Sequence, residues 1–209
     1  MQDSGLTTTP ASARTDVRGP VAAATDRGAR TAGLVLAAGA AAYATTFLVI
    51  GPTTDGIGGR VADLAGLVFQ AGLFGLLAHL RRTRATGTSR TARRLVDVEF
   101  GLLGLASLWS LLHATVPAGV QDAVWLAVLD VCWPLSMLGM LVVGTTVAAA
   151  GRWRGILRAY PAVAASWVLF GVPSMALGGP VVGAWVGGVH MLLGYAVLGL
   201  LLALRPQGT

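Results

Sequence analysis

The chain holds nine acidic side chains and three histidines. Several of them fall inside long apolar stretches, where an ionisable group is costly and therefore a functional candidate. These are Asp63, Asp97, Glu99, His113, Asp130 and His190, with Gln70 as a neutral polar companion. Asp97 and Glu99 fall within the first turn or so of their block. Carboxylates favour that end of a helix, and both can pair there with Arg93 or Arg94. His79 stands beside Arg81 and reads as interfacial. His113, Asp130 and His190 fall together in the opposite half of their blocks, roughly 5 to 14 Å below the surface at the helical rise per residue. Imidazole and carboxylate are ligands for Zn²⁺. The same pair can relay protons near neutral pH, or simply hydrogen-bond helices together. Asp63, Gln70 and Ser110 are polar candidates for the lining of a cavity. A Ser110–His113–Asp130 hydrolase is disfavoured, because Ser110 and His113 share one helix face and a serine so placed bonds its own backbone. No catalytic set is therefore expected.

The elements that must position these residues are apolar blocks of bilayer length. They run from about Ala32 to Ile50, Val61 to Leu80, Val96 to Val116, Ala123 to Val147, Leu157 to Leu177 and Val181 to Leu204. The spacing predicts an all-α, polytopic bundle of about six helices in three hairpins, each with a short turn carrying Pro52, Pro117 or Pro180. Residues 1–30, rich in Thr, Ala, Ser, Asp and Arg, read as an unstructured tail. Residues 31–205 form the membrane domain, and 206–209 a short second tail. Pro134 follows Asp130 by four and denies its carbonyl a helical hydrogen bond, so a kink is expected there. In the last block Gly183, Gly187 and Gly194 share a face with His190. Such small residues let helices approach closely in lipid, and that face could also join two copies of the chain.

Only 11% of the 209 residues are charged and 55% are hydrophobic, too little polar surface for a water-soluble fold of this size. All 15 basic residues are Arg, and they cluster at block ends, which argues against nucleic acid as the partner. With both termini inside, Arg60 alone lies outside, so the positive-inside rule predicts a cell-membrane protein with both termini cytoplasmic. The six Arg between Arg81 and Arg94 read as a topology signal, with anionic lipid heads as a further option. Trp125, Trp153 and Trp185 suit the headgroup level. Trp109, Trp133 and Trp167 lie deeper and read as packing residues. Cys132 is the only cysteine, so no disulfide forms within the chain.

The run Asp130-Val131-Cys132-Trp133-Pro134-Leu135-Ser136-Met137-Leu138-Gly139 resembles the small six-helix membrane proteins of actinobacteria, a resemblance that implies no activity. The order Ser110-x-x-His113, Asp130, His190 is similar to the alkaline-ceramidase and adiponectin-receptor superfamily. That likeness implies a seven-helix zinc-dependent membrane hydrolase. This chain departs from the pattern in helix number, and in carrying Gly194 where the superfamily has the second His of HxxxH. The expected function is a small transporter or accessory membrane subunit with an outward-facing polar cavity and no cofactor. The alternatives are a zinc-dependent lipid hydrolase and a scaffold with no site.

Overall fold

A computed structural model describes residues 20–51 and 56–205, with side chains from residue 27 onward. Every regular element among them is helical. The elements are α1 (Pro20–Val49), α2 (Gly56–Thr83), α3 (Arg90–Thr115), a single turn α4 (Ala118–Gln121), α5 (Val124–Asp130), α6 (Cys132–Ala150), α7 (Tyr160–Ala165), α8 (Trp167–Met191) and α9 (Val197–Leu204). Leu- and Ala-rich composition favours helix. In hydrocarbon a helix also satisfies its own backbone groups.

Five stretches are long and apolar enough to cross a membrane: Arg27–Val49, Gly56–Thr83, Arg90–Thr115, Val124–Ala150 and Tyr160–Leu204. The last has 45 residues, about twice what a bilayer needs at 1.5 Å per residue. It doubles back at Gly179, whose φ of 79° is left-handed and suits glycine. Beyond that point Trp167 Nε1 donates to Gly187 O at 2.9 Å and Tyr160 Oη donates to Leu193 O at 2.6 Å, so the two arms run antiparallel. The glycine face of the last block is thus covered within the chain. Gly194 lies on Ala164, Gly187 on Trp167 and Gly183 on Met175.

Three helices begin earlier than their apolar blocks suggest, the second at Gly56 rather than near Val61. The first starts at Pro20 rather than near Ala32, so 20–30 are helical rather than tail; residues 1–19, 206–209 and Pro52 lie outside the described residues. The third starts at Arg90, where the Ser89 side chain accepts from Ala92 N at 3.0 Å as an N-cap. The kink expected near Pro134 appears as a break at Val131, between α5 and α6.

The helices close into a ring. α1 packs on α2, α2 on α3, α3 on α6, α6 on α7, and α9 returns to α1. The closing seam is tight, since a Cβ at Gly199 would lie 2.5 Å from Ala37 N and from Gly33 O. At one end of the ring Arg82 packs by Gly28, and Arg30 Nε donates to Ala203 O at 3.4 Å. At the other end Arg60 Nη2 donates to Val116 O at 3.1 Å. The outer surface is apolar, with Leu105, Leu108, Leu111, Leu135, Leu138 and Val142 all exposed. Trp125 and Trp185 are exposed as well. A broad exposed apolar surface of this kind marks a lipid-facing protein.

Candidate functional site

A cavity of about 280 Å³ opens at the Arg60 end of the ring, between α1, α2, α3, the α5–α6 junction and α8. Its polar lining is Asp63, Asp130, Ser110 and Thr46. Its aromatic lining is Tyr43, Phe47, Trp109, Trp133 and Trp167. The three tryptophans come from three different helices. Trp133 stands edge-on to Trp167 with ring centroids 6.1 Å apart, and Phe47 packs on Trp167 at 6.0 Å. The tryptophans read as packing residues in the sequence do pack, and they also wall this space.

The acidic groups reach it by different routes. Asp63, one turn into α2 beyond Arg60, meets His113 near the end of α3, with His113 Nδ1 2.6 Å from Asp63 Oδ2. These side chains are 13% and 8% exposed. With the carboxylate accepting, Nδ1 carries the hydrogen. The imidazole also stacks on Trp109 at 4.8 Å, and the His113 carbonyl accepts from Gln121 Nε2 at 3.0 Å. Asp130 arrives at the helix break and has no ion pair among the described residues. With both carboxylates ionised, the cavity is net negative in either protonation state of its one imidazole.

Of the three residues expected to converge, Asp130 lines this cavity, His113 stands behind its wall bonded to Asp63, and His190 is left out. His190 Nε2 shares a hydrogen bond with Ser166 Oγ at 3.1 Å, and the ring stacks on Phe170 at 5.9 Å. Among the described residues no group of three or more His, Cys, Asp or Glu side chains is placed to hold a metal ion. Of the cavity candidates, Asp63 and Ser110 line this space, whereas Gln70 lies outside its lining and meets only Ser110. Ser110 Oγ donates to Ala106 O at 3.2 Å, the backbone bond expected of it, and accepts from Gln70 Nε2 at 3.2 Å.

Two polar residues lie deeper than their sequence positions suggest. Glu99 is not paired with Arg93 or Arg94 at a helix end. It is 1% exposed and accepts from Ser136 Oγ at 2.6 Å. Asp97 alone is superficial, pairing with Arg81 at 3.1 Å. His79, four residues before the end of α2, is fully buried, its ring 5.7 Å from that of Trp153. Trp153 is buried as well and donates to Thr83 Oγ1 at 3.1 Å, so it is not a headgroup anchor. For Glu99 the signal missed is the true start of α3, at Arg90.

No family model, curated protein or solved structure matches the chain. Fold and site define an all-helical, multi-pass membrane protein with an acidic, aromatic-walled cavity near one end.

Proposed function

We infer that this chain is a six-crossing protein of a bacterial cell membrane. Its helices form three hairpins, both termini are cytoplasmic, and it carries or binds a small organic cation in the Asp63–Asp130 cavity. The observation that carries this reading is the lining itself. Carboxylates supply the charge, and tryptophan and tyrosine faces attract an alkylammonium group. A mostly apolar concavity with a few fixed polar groups is the usual form of a small-molecule site. The topology rests on arginine: 14 of the 15 fall within residues 14–30, 81–94, 152–158 and 205, the helix ends and connections that the positive-inside rule assigns to the cytoplasm.

Two measurements test the reading. In a Cys132→Ala background, Asp122→Cys should react with a membrane-impermeant maleimide on intact cells, and Thr88→Cys only after permeabilisation. The reverse pattern overturns the orientation. Choline should then raise the melting temperature of the detergent-purified protein, whereas its neutral isostere 3,3-dimethylbutanol should not, and Asp130→Asn should abolish the shift. Equal shifts from both compounds would remove the charge argument. A metal-dependent hydrolase becomes the better reading if the purified protein holds one zinc per chain and loses it in His113→Ala.

A further inference from the structure

Below the outer cavity lies a second, smaller void of about 30 Å³. That is room for about one water molecule. Tyr43, Gly66 and Trp133 line both spaces and form the neck between them. The void touches Gln70, Ser136 and Tyr195. Tyr195 belongs to a π-helical turn, Leu192–Ala196, that interrupts the last helix. Such turns locally re-aim side chains and occur often at functional sites.

Polar atoms around the void are left without partners. Gln70 Oε1 is buried and accepts no hydrogen bond among the described residues. Glu99 stands one hydroxyl further in. Its Oε1 accepts from Ser136 Oγ, while its buried Oε2 has no partner. The carboxyl fits because position 139 is glycine, where a Cβ would overlap Glu99 Oε2. The titratable groups near it are the Tyr195 phenol on the last helix and, across the void, the Tyr43 phenol on α1. α2 contributes the neutral Gln70 and α6 the neutral Ser136. No Arg among the described residues pairs with it; Arg81 is taken by Asp97. A lone carboxylate with a single donor in this setting requires a compensating positive charge, and the space beside it admits nothing larger than water.

We propose that Glu99 is a proton-binding site inside the membrane, loaded from the outer cavity through the Tyr43–Gly66–Trp133 neck and the Ser136 hydroxyl. Water in the void delivers a proton to Ser136 Oγ, and the hydrogen already on that oxygen passes to Glu99 Oε1. One proton converts the carboxylate to the neutral acid, and release reverses the same steps. No co-reactant is needed. The proposal does not depend on the organic cation, so it is tested without one.

The test is infrared difference spectroscopy of the full chain in nanodiscs. A protonated-carboxyl stretching band should be present in the wild type, absent in Glu99→Gln, and retained in Asp63→Asn and Asp130→Asn. Glu99→Gln is isosteric and still accepts from Ser136; if it fails to fold, Glu99→Asp should move the band instead. The band should shift on transfer to D₂O and respond to bulk pH. Ser136→Ala should slow that exchange about tenfold, the effect of about 1.4 kcal/mol of added barrier. Gly66→Val should do the same, and a Cβ at that position has room, meeting the Tyr43 ring at 3.6 Å. A band indifferent to Glu99→Gln, or one that never exchanges, overturns the site. Wild-type exchange rates in both Ser136→Ala and Gly66→Val overturn the route. Loss of choline binding with the band intact would sink the ligand reading alone.

Discussion

Removing one partner of the Asp63–His113 pair should cost far more than the pair contributes, and a double-mutant cycle measures the difference. In Asp63→Ala the 2.6 Å charge-assisted bond disappears, a loss of about 1.5–3 kcal/mol. His113 keeps its stack on Trp109 but retains an unpaired Nδ1 in a site where its side chain is 8% exposed. In His113→Ala the stack is lost too, adding about 0.5–1.5 kcal/mol, and Asp63 is stranded among aromatic rings. The double variant Asp63→Ala/His113→Ala strands neither group. Its destabilisation should therefore fall short of the sum of the singles by about 1.5–3 kcal/mol, as expected for groups in direct contact. Unfolding titrations in mixed micelles give the four stabilities. A coupling below about 0.5 kcal/mol, the size of ordinary additivity error, would mean that the two side chains do not meet in the membrane, and the wall of the cavity would need redrawing.

Other expectations follow from the same geometry. Gly199→Ala should destabilise by about 1–3 kcal/mol, the usual cost of overpacking, because its methyl meets backbone atoms of α1 at 2.5 Å; a variant melting like the wild type would contradict the seam. His79→Leu should be neutral or stabilising by about 1 kcal/mol, since both ring nitrogens are buried without partners among the described residues; a loss of stability would point to a bond formed by that ring. His190→Ala should leave choline binding unchanged within twofold, the ring being held by Ser166 and Phe170 away from the cavity, whereas Asp130→Asn, which removes a carboxylate from the lining, should weaken it at least tenfold, about 1.4 kcal/mol. Isothermal titration separates the two.

The sequence made the apolar spans legible because lipid permits so few backbone solutions. Proline 134 announced the break beside Asp130 through a hydrogen bond that cannot form. Depth was read less well where polar residues extend a helix past its apolar block. With α3 starting at Arg90, Glu99 lies nine residues in, about 14 Å along the axis, although counted from Val96 it looks superficial. Arg93, Arg94 and Asp97 are polar turns of the same helix, and hydropathy alone does not distinguish them from a loop. The Asp63–His113 pair was invisible for another reason. It depends on how α2 and α3 are rotated about their axes, and a face with one carboxylate every few turns leaves that rotation unspecified. His190 shows the same limit in reverse, since its glycine stripe indicated a packed face but not which neighbour would fill it.

The seam between Gly33 and Gly199 ties α1 to α9. A nascent chain emerging from the ribosome inserts α1 long before α9 exists, so the first helix must wait in the bilayer with its narrowest side open. Until α9 has been made, that side is available to lipid, to a chaperone or to another unfinished copy. A product truncated before α9 would lack the partner of Gly33 and could not close this seam.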